Sequence, residues 1–468
     1  MIGWISINCI KIGVKMKTKL FLVAMILAFA VNRGAFTINA QTISFAEKLQ
    51  SYLEKDDING AIKLYDTIPA NLANDVDLQL LHASLLISVN RLAEAGAITK
   101  SLMDSGNSSI DVLEMNAEIA MAGKNKTEIA NSVKTLLDLD PYNPVANNIL
   151  GNQQALRKKY KLALGYYKKS LVRDSQNEEA LFGCGQMNYY LGNIRDSREN
   201  FEALLKYRPN ESQAYLYLGK LCAEDEKYLD AIKNVNKAIE LNPNNSDYWI
   251  DLGQYQRNTG KFDDAEKSWT RAIELEPNYF LGYTYRAGLY DEQNKIELAL
   301  KDYHKIVETN PKYYFAFEEI GILEFHMKNW AVAREYFMKA NAINSSTAYQ
   351  LMVIATYLME NNSFEAKKMA ETYIKAGNKQ DMNFAKSIDY SMIRLYKDQG
   401  PVGLENSIAK ELEKITDKNK RGKMMYYFAL YFEMRNHPEV SADYYNKITK
   451  MQTPMFFEYR LAEWALQQ

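Results

Sequence analysis

Apolar residues recur along this chain at helical spacing, in pairs of amphipathic segments joined by short polar turns. The stretch Tyr248 to Pro277 shows the unit. Trp249, Leu252 and Gly253 mark one face of a first helix, and Ala265, Trp269, Ala272 and Ile273 mark one face of a second. Asn258-Thr259-Gly260 supplies the turn. Pro277 ends the second helix, because proline has no amide N–H and its ring clashes with the preceding turn. The pattern then repeats at a fixed interval. Pro209, Pro243, Pro277 and Pro311 are each 34 residues apart, and Pro141 lies two intervals before Pro209. Ala61, Ala95, Ala163, Ala231, Ala265, Ala299 and Ala333 keep the same beat, as do Gly151, Gly185, Gly219, Gly253, Ala287 and Gly321. Glycine inside a helix costs roughly 1 kcal/mol against alanine. Its return at one helical position therefore marks a close helix–helix approach. Tyr65, Tyr167, Phe201, Trp269, Tyr303 and Phe337 recur where the space between layers must be filled.

This pattern resembles the tetratricopeptide repeat family, whose 34-residue unit carries W, LG, Y, A, F, A and P marks in that order. The fullest copy has Trp249, Leu252, Gly253, Gly260, Ala265, Trp269, Ala272 and Pro277. The resemblance implies an all-α fold, a right-handed α-solenoid of stacked helix-turn-helix repeats. About ten repeats fit in residues 41–380, the first three degenerate but in register. In the tenth the beat slips, with Ala366 one residue early.

The two ends depart from the pattern. Lys15, Lys17 and Lys19 precede the apolar run Leu20 to Val31, and a more polar stretch ends at Ala40. These features predict a signal peptide over residues 1–40, with an upstream extension before Met16. The apolar run is short of the ~20 residues a membrane span needs, so membrane contact is expected only if the segment is retained. The style of the signal points to export, with the periplasm of a Gram-negative bacterium as the expected destination. Residues 381–468 read as two further hairpins and a final helix starting after Thr453-Pro454. Solenoid ends need a cap over the last apolar face. Met424, Met425, Tyr426, Tyr427, Phe428, Phe456 and Phe457 are many large groups for a cap, which raises self-association through residues 424–468 as an alternative.

Composition narrows the function. Net charge is −1, from 57 basic and 58 acidic residues, so there is no overall electrostatic footprint for nucleic acid. One basic cluster, Arg157, Lys158, Lys159, Lys161, Lys168 and Lys169, reads as a solvated face. His82, His304, His326 and His437 lack metal-ligand spacing. No catalytic constellation and no cofactor motif is present; Gly183-Cys184-Gly185 lies inside a helix with no GKS or GKT after it. Cys184 and Cys222 sit at apolar helix positions and read as small buried hydrophobes. A disulfide between them is the alternative in an oxidising compartment.

Binding in the family uses the concave surface lined by first helices. Carrying the register over places Gln50, Ser84, Glu118, Asn152, Gln186, Lys220 and Gln254 at one recurring inward position. The amides of Gln50, Asn152, Gln186 and Gln254 could donate to and accept from an extended peptide backbone. The ladder lapses at Gly288 and Ile322. Phe182, Tyr189, Tyr190, Tyr285, Phe315 and Phe325 lie near it as candidate aromatic anchors. Asn148 and Asn152 have helical spacing, but the lysines of the family's carboxylate clamp are not filled. The expectation is a non-catalytic scaffold of the cell envelope that binds a protein or peptide. A self-assembling structural subunit and an enzyme are the alternatives.

Overall fold

The computed structural model describes residues 40–400, 403–452 and 454–467. The expected signal peptide lies outside them, apart from Ala40. The described residues are helical with no strand among them, and they fall into two compact units that divide after Leu241.

Unit 1 holds six hairpins. They are α1 (Ala40–Glu54) with α2 (Ile58–Leu64), α3 (Val76–Ser88) with α4 (Leu92–Asp104), and α5 (Ile110–Ala122) with α6 (Lys126–Leu139). Then come α7 (Pro144–Leu156) with α8 (Tyr160–Arg173), α9 (Glu178–Tyr190) with α10 (Ile194–Tyr207), and α11 (Ser212–Glu224) with α12 (Tyr228–Leu241). The two helices of each hairpin pack on each other, each second helix up to α10 packs on the first helix of the next hairpin, and α3, α5, α7 and α9 each touch the next first helix.

Unit 2 continues the alternation. It holds α13 (Ser246–Asn258) with α14 (Phe262–Leu275), α15 (Phe280–Glu292) with α16 (Ile296–Thr309), and α17 (Tyr314–His326) with α18 (Trp330–Ile343). After α19 (Thr347–Met359) and the longer α20 (Ser363–Gln380) come α21 (Ile388–Asp398), α22 (Leu404–Lys414), α23 (Lys418–Met434) and α24 (Pro438–Thr449). The last helix is α25 (Glu458–Gln467). It starts four residues after Pro454, later than the sequence signal suggested.

The period read from side chains is also written in the backbone. Asp56, Asn90, Lys124, Lys158, Gly192, Glu226, Gly260, Asn294 and Lys328 all have positive φ, each 34 residues from the next. Each follows a first helix in the left-handed cap that lets the chain reverse. The next left-handed residue, Asn361, comes one residue early, matching the slip at Ala366. The recurring prolines stand two residues past the ends of α6, α10, α12, α14 and α16. Asn143, Asn177 and Asn245 cap the helices that follow with their side-chain oxygens.

The recurring glycines are seats for aromatic rings. A Cβ on Gly253 would stand 2.5 Å from Trp269 Nε1, and one on either Gly151 or Gly183 would stand 2.6 Å from the Tyr167 ring. The Phe201 ring lies 2.8 Å from such a Cβ at Gly185. Trp269, Phe201 and Tyr167 are themselves buried and cannot easily withdraw. Glycine to alanine should therefore have opposite signs at two helical sites. Gly253→Ala should lower stability by about 1–2 kcal/mol, because overpacking outweighs the better helix propensity. Gly165→Ala, in exposed α8 with nothing within 4 Å of the new methyl, should raise it by about 1 kcal/mol. Urea unfolding followed by circular dichroism reads both, and equal signs would contradict the packing.

Candidate functional site: the first-helix face

In unit 1, α9 and α11 bring together four of the side chains that the register singled out. Gln186 Nε2 donates to Tyr217 Oη at 2.8 Å, and the Tyr190 and Tyr217 hydroxyls lie 3.3 Å apart. Phe182 and Tyr189 each meet the Tyr217 ring edge-on, at 6.0 and 5.4 Å. Tyr217 stacks in turn on the buried Phe201 at 5.0 Å. Burial pushes the Tyr217 hydroxyl well above its ordinary value, so it stays protonated. Tyr190 stacks on Tyr160 at 4.9 Å and remains 48% exposed. The result is an aromatic platform whose base is core and whose rim faces solvent. Lys220 is half-buried on α11.

Asn152 is not an idle rung of the ladder. Its Nδ2 donates to Glu179 Oε1 at 2.8 Å, and its Oδ1 accepts from Tyr167 Oη at 2.6 Å. Asn148 Nδ2 donates to the other Glu179 oxygen at 3.1 Å. The asparagine pair thus already grips a carboxylate, one supplied by the next repeat. Sequence reasoning missed Glu179 and Tyr217, although Tyr217 is one of a run of aromatics on α11.

In unit 2, Gln254 is half-buried, and its Oε1 is enclosed with no hydrogen-bond partner. Tyr285 stacks on the buried Trp269 at 5.6 Å. Phe315 is 46% exposed and stacks on Tyr314 at 4.1 Å. Phe325 is not an anchor for a partner. It is buried and meets Trp330 edge-on at 4.9 Å, as part of the apolar core.

The aromatics expected to self-associate are also spent internally. Met424, Tyr426, Tyr427 and Phe428 are buried, and Met425, Phe456 and Phe457 pack against the same core. The helix that follows them returns onto earlier first helices. Arg460 pairs with Asp291 of α15 and, at 3.5 Å, with Glu319 of α17. Trp464 stacks on His326 at 4.0 Å, and Phe457 on Tyr349 at 6.0 Å. Burial pushes the Asp291 and Glu319 carboxyls up, Glu319 to about 7, while Arg460 opposes both shifts.

The remaining candidates are structural. His82 stacks on Tyr65 at 4.1 Å. Cys184 and Cys222 are free and buried, and burial pushes the Cys184 thiol up to about 12. The basic cluster from Arg157 to Lys169 is exposed. Among the described residues no group of His, Cys, Asp and Glu is arranged to hold a metal, and no helix is long and apolar enough to cross a membrane.

Residues 188–246 match one family model described as tetratricopeptide repeat, and residues 235–267 match a second with the same description. Residues 188–267 are thus tetratricopeptide repeats. The matched span runs from the end of α9 through the Gly253 and Ala265 marks, in register with the helices. Solved structures similar to the chain include the following three. The Cut9–Hcn1 hetero-tetramer of APC/C is 16% identical, over 70% of this chain and 65% of that one, with a TM-score of 0.46. A tetratricopeptide repeat protein from Parabacteroides merdae is 19% identical, over 53% and 99%, with a TM-score of 0.40. YrrB, titled a TPR protein with an unusual peptide-binding site, is 20% identical, over 40% and 96%, with a TM-score of 0.34. In tetratricopeptide repeat terms, the platform of unit 1 lies on adjacent first helices. The lapse of the polar ladder at Ile322 falls where the repeat face is apolar, since Ile322 and Phe325 share a core with Leu461 and Ala462 of α25.

Proposed function

We propose that this tetratricopeptide repeat protein is a non-catalytic scaffold that binds a protein or extended peptide on the first-helix face of unit 1. The platform of Phe182, Tyr189, Tyr190 and Tyr217 carries the reading. A half-exposed tyrosine on a rigid aromatic base is how interfaces supply large contact area at low entropic cost. Gln186 borders it, and its amide oxygen can accept from a peptide backbone. The sequence before Ala40 supports a further reading, that the scaffold is exported and works in the bacterial envelope, and the net charge of −1 supports a partner other than nucleic acid.

Selection of random linear peptides on residues 41–468 tests the site. Enriched peptides should bind the wild type and lose at least tenfold on Tyr190→Ala with Gln186→Ala, at a temperature where circular dichroism shows the variant still folded. Equal binding by the variant would move the site elsewhere. Fractionation of cells expressing the full chain reads the export arm, and recovery with the cytoplasmic fraction would overturn it.

A further inference from the structure

α25 has two faces, and only one is needed for a cap. Leu461 and Ala462 join the apolar core built by α19, α21, α23 and α24. Arg460 and Trp464 stand four residues apart and so share another face of the helix. They reach residues on α15 and α17, well back along the chain from the last hairpin. The Arg460 guanidinium, with its fixed fork of donors, lies between the Asp291 and Glu319 carboxylates. It also covers the Trp464 ring at 4.0 Å, and that ring covers His326 at 4.0 Å. Asp291, Glu319 and His326 all lie on first helices, the face that the family reading assigns to partners. A helix held by an acid pair and an aromatic stack is seated as a ligand would be.

We propose that the first-helix face of α15 and α17 is a receptor site for an amphipathic helix bearing an arginine four residues before a tryptophan, occupied in cis by residues 455–467. A protein partner presenting that motif takes the seat when α25 leaves it. Asp291 and Glu319 read the guanidinium, and His326 reads the ring. The site concerns unit 2 alone, so it stands or falls apart from the peptide platform of unit 1.

The test uses residues 41–468 and, as probe, a fluorescein-labelled synthetic peptide of residues 455–467 followed by anisotropy. In the Arg460→Ala/Trp464→Ala variant the seat is released, and the probe should bind at least tenfold more tightly than it binds the wild type. Adding Asp291→Asn and Glu319→Gln should cost at least tenfold of that gain. A probe carrying alanine at both positions should not bind. Where the double variant does not fold, Arg460→Ala alone serves, because it leaves the apolar core intact. Hydrogen exchange gives a second readout: amides of 458–467 should quicken in the variant while those of α15 and α17 keep their protection. Equal probe binding by wild type and released variant, or none by either, would overturn the proposal. So would a wild-type mass that doubles with concentration, because the seated helix would then come from a second copy.

Discussion

Trp269→Ala should destabilise unit 2 by about 4 kcal/mol, the largest effect expected from any side-chain truncation among the recurring aromatics. Trp269 is fully buried, and three contacts hold it. Its Nε1–H donates to the Ile250 carbonyl at 3.2 Å, its ring lies against Gly253, and Tyr285 stacks on it at 5.6 Å. Removing the indole leaves a cavity between α13, α14 and α15 that backbone spacing set by the hairpins cannot close. Trp249 is the contrast. It belongs to the same repeat, but it is half-exposed, with its indole N–H donating to the Pro243 carbonyl at 3.0 Å. Trp249→Ala should cost less than half as much. Urea titration followed at 222 nm checks both, with hydrogen exchange of α13 to α15 reporting whether the loss stays local, as nearest-neighbour coupling in repeat proteins implies. A cost below about 1 kcal/mol for Trp269→Ala would show that the register of the repeats is wrong.

Glu458→Gln should leave stability nearly unchanged at pH 4.5 and raise it by about 3 kcal/mol at pH 8. Glu458 opens α25 and is fully buried. Tyr427 Oη lies 2.8 Å from its Oε1 and 3.0 Å from the Ala348 carbonyl. Both are acceptors when the carboxyl is charged, and the hydroxyl has only one hydrogen to give. A protonated Glu458 resolves the conflict: it donates to Tyr427 Oη, and Tyr427 donates to Ala348. The same arrangement suits the carboxyl's titration, since burial pushes it from 4.5 up to about 7 against the opposing pull of its own amide, Tyr427 and Lys423, with nearby Glu318 adding to the rise. In the unfolded chain the group ionises near 4.5. Its contribution is therefore fully present below that pH and lost as pH rises toward about 7, where the folded state must give up a proton it prefers to keep. Glutamine keeps a donor for Tyr427 and never ionises, so the variant escapes the loss. Denaturation of both proteins at pH 4.5, 6 and 8 measures the difference. A constant gap between them would show that Glu458 is charged in the fold.

The hairpins were legible because each mark has a local cause. A glycine that seats a ring, an alanine that admits a neighbouring helix and a proline two residues past a helix end recur every 34 residues without reference to distant parts of the chain. The slip at Ala366 was legible for the same reason and reappears at Asn361. The candidate face was legible only as positions. Asn152 and Gln186 stand where the register puts them, yet what they bind, Glu179 and Tyr217, depends on contacts 27 and 31 residues away. The return of α25 was not legible at all. Arg460 and Asp291 are 169 residues apart, and no period links them. Two signals pointed toward it: the polar ladder fails at Ile322, and residues 424–457 carry more aromatic mass than one apolar face can use. The second reads in the sequence as a cap or as a self-associating surface; the first carries no reading of its own. The structure spends that mass inside unit 2, and Phe325 with it.

On the proposed function, partners meet the first-helix face of unit 1. Hydrogen–deuterium exchange of residues 41–468, with and without a peptide enriched by selection, tests it most directly. Slowed exchange concentrated in α9 and α11, around Phe182, Tyr190 and Tyr217, is the predicted result. Protection confined to the second helices α10 and α12, or to unit 2 alone, would contradict it.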